Sequence, residues 1–362
     1  MQYNGKNIKT IKDISVANKI ILVRTDYNIP LDGQTITDDL RIKASLPTIQ
    51  YLLTNGAAKI ILISHLGRPD GQPDPALSLA PVADRLRQLL PNTPIEFVPA
   101  ITGDTVSAAV DALPTGGILL LENLRFSPDE EANSKDFAKA IATSTHAELF
   151  VQDGFAVVHR AHASTDSITH ILPSVAGLLL EEEITKLAQI SQNPTHPFLV
   201  IIGGAKVDDK QLMIDKFLPI ADHVVVGGKI AADGFVNSDP KVFVADDFLT
   251  DASGAKLDIG QQSTEKIITL INQAQTILWN GLLGKAEDPT YAQSSTAIAL
   301  QTGQSSATSI IGGGDTAGFV ENLQKTHPTL RYTLISTGGG ASLDLLSGKL
   351  LPGVAALIDK SP

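Results

Sequence analysis

Ten short runs of apolar, largely β-branched residues punctuate the chain, separated by amphipathic stretches of helical period. They are residues 19–24 (KIILVR), 59–64 (KIILIS), 95–98, 118–122 and 149–152, then 198–202, 223–226, 276–279, 309–311 and 332–335. Runs this short, apolar throughout and flanked by Gly, Pro or Asp, suit strands buried on both faces. The stretches between them, such as DDLRIKASLPTIQYLLTNG and SLAPVADRLRQLL, read as helices. The alternation predicts βαβ units, hence an α/β fold with parallel sheets. Ten strands over 362 residues suit two sheets in about two domains. SVAGLLLEEEITKLAQI reads as one amphipathic helix between Pro173 and NPTHP and places a boundary near residues 173–195.

Charge and composition narrow the function. A formal net charge of −11 argues against a nucleic-acid groove or a polybasic membrane face. With no cysteine, disulfides, thiolate nucleophiles and Cys-based metal sites are excluded, and a reducing compartment is expected. No apolar run has the length of a signal peptide or a membrane span, so a cytoplasmic protein is expected.

Arginine is distributed unevenly. Arg24, Arg41, Arg68, Arg85, Arg87, Arg125 and Arg160 lie in the first 160 residues, and the next is Arg331. Ligands of open α/β sheets sit at the carboxyl ends of the strands. There the first half places Arg24-Thr25-Asp26-Tyr27-Asn28, His65-Leu66-Gly67-Arg68, Asn123-Leu124-Arg125 and the segment from Asp153 to His162 that holds Arg160; Arg41 opens the helix after TDD. One such arginine is ordinary surface charge. Five at equivalent positions converge on one mouth, which predicts a small acidic ligand bearing phosphate, carboxylate or both. Asp26 and Asn28 then orient ligand hydroxyls or hold arginine side chains. His65 reads as a hydrogen-bond donor to the anion. His159 and His162 lack a third ligand at short spacing, and Arg160 between them repels a metal.

The second half offers glycine instead. Strand 198–202 runs into GGAKVDDK, strand 309–311 into GGGDT and strand 332–335 toward GGGAS. Glycines between a strand and a helix let backbone N–H groups approach a phosphate. Lys206 and Lys210 are one helical turn apart, a repulsive pair that Asp208 and Asp209 offset in the plainer reading and that a nucleotide's phosphates would offset better. The motif G-x-x-x-x-G-K-[ST] is absent. GGGDTA fits G-x-G-x-x-A, but no acidic residue follows about 20 positions on to take a ribose, which disfavours a nicotinamide oxidoreductase. Asp315 suits Mg²⁺ on a nucleotide, or a helix cap.

Together VRTDYNIPL, SHLGRP, LLLENLRF, VQDGFAVVHRAHAST, IIGGAKVDDK, ILWNGLLG, IIGGGDTAGFV and ISTGGGASLDLLSGKLLPGVAAL resemble the phosphoglycerate kinase family, in the family's order and over nearly the whole chain. The resemblance implies two Rossmann-like lobes with parallel sheets flanked by helices, joined by an interdomain helix. Residues 1–173 plus 350–362 would form the 3-phosphoglycerate-binding domain, 174–194 the connecting helix or hinge, and 195–349 a shortened nucleotide-binding domain. The implied reaction is reversible phosphoryl transfer between 1,3-bisphosphoglycerate and ADP, giving 3-phosphoglycerate and ATP, in glycolysis and gluconeogenesis. By similarity Arg24, Asp26, Asn28, Arg41, His65, Arg68, Arg125 and Arg160 hold the phosphoglycerate. Gly204, Ala205, Lys206, Lys210, Gly228, Asn280, Glu287, Gly313, Gly314, Asp315 and Thr316 hold the nucleotide, with Mg²⁺ on Asp315. Arg41, Lys206, Gly314 and Gly339 surround the migrating group. A cytoplasmic monomer without nucleic-acid or membrane partners is implied. The sequence departs from the family pattern at Lys229, Lys256, Gln261 and Leu282, all within the nucleotide lobe.

Overall fold

A computed structural model describes residues 1–204 and 207–360. The chain divides into two compact units, Met1–Thr185 with the segment from Leu350 onward, and Lys186–Lys349.

Unit 1 runs β1 Gln2–Tyr3, β2 Lys6–Asn7, β3 Ile20–Arg24, β4 Leu31–Asp32, β5 Thr35–Ile36, α1 Leu40–Thr54, β6 Lys59–Ile63, α2 Ala80–Leu89, β7 Ile95–Val98, α3 Asp104–Ala112, β8 Gly117–Leu121, α4 Pro128–Glu131, α5 Lys135–Thr145, β9 Leu149–Gln152 and β10 Ser174–Ala176. Helix α6, Leu178–Gln192, begins here and crosses the division between units. The sheet is parallel, in the order β10-β9-β3-β6-β8-β7. Successive strand residues pack on opposite faces, as a two-residue period demands. Ile21, Val23, Ile60 and Leu62 join one core, whereas Leu22, Ile61 and Ile63 join the other. Both faces are therefore covered, and the strands read as unbroken apolar runs.

Unit 2 runs β11 Phe198–Ile202, α7 Val207–Phe217, β12 His223–Val226, α8 Gly228–Ala232, β13 Val242–Val244, β14 Phe248–Thr250, β15 Lys256–Ile259, α9 Gln261–Gln273, β16 Thr276–Asn280, α10 Gln293–Gln304, β17 Thr308–Gly312, α11 Gly314–Thr326, β18 Leu334–Ile335 and α12 Gly340–Leu346. Its parallel sheet has the order β13-β12-β11-β16-β17-β18, which by chain position is 3-2-1-4-5-6, the dinucleotide-fold order. Unit 1 counted the same way is 3-4-2-1-5-6. The last helix, α13 Pro352–Ala355, belongs to unit 1: Leu351 N–H donates to the Tyr3 hydroxyl (2.6 Å) and Gly353 N–H to Val158 O (2.9 Å).

Each sheet has one strand more than the sequence announces. Residues 174–176, read as the start of a helix, pair with β9 instead, and Thr10 bridges to Ala176 on the far side. Three residues so paired satisfy their backbone groups better than an isolated first helical turn does. β13 and the antiparallel pair β14–β15 were likewise hidden in IAADGFVNSDPKVFVADDF and the residues after it.

Candidate active site

In each sheet the chain reverses its direction of winding once. Ligands of open α/β sheets bind outside the carboxyl ends of the strands at such a point. In unit 1 it lies between β3 and β9, and in unit 2 between β11 and β16.

Arg24 ends β3 and is 1% exposed. Its Nε donates to Ser164 Oγ (2.7 Å), and a terminal nitrogen faces His65 Nδ1 (3.3 Å). Ser164 Oγ in turn donates to the fully buried Glu130 (2.5 Å). Burial works against the charge of both Arg24 and Glu130, and each supports the other's. Because Arg24 donates to Nδ1, His65 carries its proton on Nε2. Burial and the charges of Arg24, Arg125 and Arg41 hold the imidazole neutral, well below its usual range. Asp26 accepts from Arg41 (2.5 Å) and from Asn28 N–H (3.0 Å); Asn28 Oδ1 accepts from Gly67 N–H (2.9 Å). Asp26 thus holds an arginine, and Asn28 pins the loop that carries Arg68.

Arg125 donates to Gly67 O (2.9 Å) and pairs with Glu131 (2.9 Å). Burial and the neighbouring Arg160 and Arg68 all oppose its charge. Arg68 and Arg160 are exposed, and neither guanidinium has a hydrogen bond or ion pair among the described residues. His162 feels the same field: burial with Arg24, Arg125 and Arg160 pushes it down to about 4. Such a cluster of like charges favours an anion among them.

In unit 2, Gly204, Lys210, Gly228, Asn280, Glu287, Gly313, Gly314, Asp315, Thr316 and Gly339 line one cavity of about 1090 Å³. Ala205 and Lys206 lie outside the described residues. The cavity opens where β11 and β16 end, and there two backbones cross. Gly281 has φ +100°, and a Cβ on it would lie 2.2 Å from Gly203 O, so only glycine fits. Lys210 Nζ donates to Asn280 Oδ1, whereas Asn280 Nδ2, on a side chain 1% exposed, has no partner among the described residues. The N-terminus of α11 adds residues 314–316 after Gly313, whose φ of +91° again requires glycine. Amides at a helix start, an orphan amide and a lysine suit phosphate oxygens.

Sequence reasoning missed several groups. Glu130 and Ser164 complete the Arg24 network, but Glu130 sits in SPDEEANS, which reads as solvated loop. Phe248, with Lys256 Nζ 4.4 Å above its ring, walls the cavity through the unforeseen β14–β15 pair. The repeated glycine in WNGLLG was the available signal for the backbone crossing at Gly281.

A sequence model of the Phosphoglycerate kinase family matches residues 11–242 and 232–349; the two matches meet between α8 and β13. A phosphoglycerate kinase of Chloroflexus aggregans is 41% identical over 403 aligned positions, covering 98% of this chain and 99% of the relative. That of Coprothermobacter proteolyticus is 39% identical over 395 positions, covering 97% and 99%. Both alignments exceed the 362 residues of this chain, so the relatives carry segments it lacks. Among solved structures, phosphoglycerate kinase from Pyrococcus horikoshii superposes with a TM-score of 0.86 at 27% identity, covering 97% of this chain and 98% of that one. The enzyme from Coxiella burnetii gives 0.78 at 29%, covering 98% and 100%.

Proposed function

Because the chain belongs to the phosphoglycerate kinase family, its reaction is reversible phosphoryl transfer between 1,3-bisphosphoglycerate and ADP, and we propose how its residues divide the work. Unit 1 is the 3-phosphoglycerate-binding domain and unit 2 the nucleotide-binding domain. The observation that carries this assignment is the pair of guanidiniums without a partner among the described residues, Arg68 and Arg160, beside Arg125 in unit 1.

The phosphoglycerate's phosphate takes Arg68, Arg125 and Arg160, which give bidentate, charge-assisted hydrogen bonds. His65 donates from Nε2 without adding charge. Arg24 and Arg41 bind nearer the carboxyl end, where the acyl phosphate forms. The nucleotide's phosphates take the α11 amides, Lys210 and the Asn280 Nδ2–H that has no partner among the described residues. Asp315 fits a hard divalent cation: it lines the cavity and has no cationic partner among the described residues. Mg²⁺ bound there supplies charge neutralisation on the nucleotide phosphates.

Transfer requires alignment and charge stabilisation rather than a covalent nucleophile. The groups assigned to stabilise charge on the migrating group are Arg41 of unit 1 and the backbone N–H groups of Gly314 and Gly339 of unit 2; Lys206, assigned the same role from the sequence, lies outside the described residues. We further propose a cytoplasmic monomer whose partners are these small molecules, with no nucleic acid or membrane. No helix among the described residues is long and apolar enough to cross a membrane.

The test is a coupled assay of ATP formation from 1,3-bisphosphoglycerate and ADP, repeated with GDP. Turnover with at least one nucleotide is expected. A folded protein inactive with both would leave a ligand sensor in place of an enzyme.

A further inference from the structure

We propose that Asp153 is a positioning residue: its carboxyl ties the first turn of α6 and helix α1 to the end of β9, and so fixes the backbone that presents Arg24 and the following loop to the phosphoglycerate. The inference rests on the assignment of unit 1 above.

Asp153 follows β9 at the point where the unit 1 sheet reverses, and it is fully buried. Three elements meet on it. Its Oδ1 accepts from Thr48 Oγ1 of α1 (2.7 Å) and from Leu179 N–H of α6 (3.0 Å). Thr48 Oγ1 also accepts from Leu178 N–H (2.9 Å), so one carboxyl oxygen and one hydroxyl hold the first turn of α6. On the backbone side, the N–H groups of Asp153 and Gly154 both donate to Arg24 O, at 3.0 and 2.8 Å. The approach is tight throughout. A Cβ on Gly154 would lie 3.0 Å from Thr25 C, and one on Gly177 only 2.1 Å from Asp153 Oδ1. The helix held in this way is the one that leaves unit 1 at Thr185.

Helix capping alone does not account for a carboxyl here. Serine, threonine or asparagine caps a helix without burying a titratable group. Asp153 instead leaves Oδ2 buried without a partner among the described residues, and the preceding Gln152 leaves both Oε1 and Nε2 in the same state. Three orphan polar atoms on consecutive residues thus sit at the ligand-binding end of the sheet. Buried polar atoms of this kind take an ordered water or serve the site.

Burial pushes the Asp153 carboxyl up to about 7, against the bonds from Thr48 and the Leu179 and Leu180 amides. The groups facing it are Thr48 on α1, those amides on α6, and the Tyr27 phenol on the loop after β3, which burial and Asp153 itself keep protonated. It has no ion pair among the described residues. The ionised carboxylate is the stronger acceptor. The donated hydrogen bonds therefore strengthen individually as pH rises through neutrality, while burial opposes the charge that strengthens them.

The experiment measures KM for 3-phosphoglycerate and for ATP at pH 6 and pH 8 in the wild type, Asp153→Asn and Asp153→Ala. The substrate's own ionisation is common to all three proteins and cancels in the ratio of variant to wild type. Asparagine keeps an acceptor oxygen that never ionises, so its KM ratio for 3-phosphoglycerate is expected near 1 at pH 6 and about fivefold at pH 8. Alanine is expected to raise that KM about tenfold or more at both, with the KM for ATP within about twofold of wild type. A pH-independent asparagine ratio, or equal changes in both KM values, overturns the proposal. If the alanine variant does not fold, the asparagine ratio decides alone. A wild type without kinase activity would instead refute the underlying assignment, before any variant is compared.

Discussion

Arg68→Ala separates a binding role from a structural one. The guanidinium is exposed, has no protein partner among the described residues, and opposes the charge of Arg125. Its removal leaves nothing buried unsatisfied, so stability should change by less than about 0.5 kcal/mol, a melting shift of about 1–2 °C. The ligand loses charge-assisted hydrogen bonds instead, worth about 1.5–3 kcal/mol. At about 1.4 kcal/mol per decade, KM for 3-phosphoglycerate should rise roughly 10- to 150-fold, with KM for ATP unchanged. Initial rates in the direction of ATP consumption, paired with a thermal melt, read both numbers. Because the contact is exposed, added salt should weaken phosphoglycerate binding more in the wild type than in the variant. An unchanged KM together with a melting point lower by several degrees would refute the reasoning, since Arg68 would then be structural.

Arg24→Ala is expected to cost stability as well as phosphoglycerate binding. It strands the buried Glu130 without its cation, a loss of about 3–5 kcal/mol that calorimetry would detect as a large drop in melting temperature; a drop under about 2 °C contradicts it. Gly281→Ala forces a Cβ to 2.2 Å from Gly203 O at φ +100°, and should destabilise unit 2 by about 2–4 kcal/mol while weakening ADP binding; a fully stable variant with normal ADP affinity would show that the crossing can relax. His162 is held near 4 in the fold and titrates at about 6.5 when unfolded, so unfolding takes up a proton in between. Its contribution is complete above about pH 6.5 and lost as pH falls toward 4, roughly 3 kcal/mol in all. His162→Gln should remove that part of the acid destabilisation in urea titrations, and an identical pH slope in the variant would argue against the buried neutral form.

The sequence was most legible where chemistry and periodicity coincide. Unbroken runs such as KIILVR end in the residues that line the site, because a parallel sheet buries its strands and exposes their carboxyl ends. Glycine before Asp315 announces a helix start at a phosphate in the same way. What stayed hidden depends on partners remote in sequence. β10 and β13 have three residues each, too few to show a period, and exist through pairing with β9 and β12. Glu130 looks like surface until Ser164 and Arg24 close over it, 34 and 106 positions away in the chain. Asp153 reads as an ordinary turn residue until α1 and α6 are both laid on it.

Phosphoglycerate and nucleotide are assigned to separate sites, the arginine cluster of unit 1 and the glycine-turn cavity of unit 2. Calorimetric titration of 3-phosphoglycerate and of Mg-ADP into Arg160→Ala and Lys210→Ala tests this assignment directly. Arg160→Ala should lose about tenfold or more in affinity for 3-phosphoglycerate and keep that for ADP within about twofold, with Lys210→Ala showing the reverse. Undiminished 3-phosphoglycerate binding by Arg160→Ala, or loss of both ligands in either folded variant, would rule out this division of the two sites.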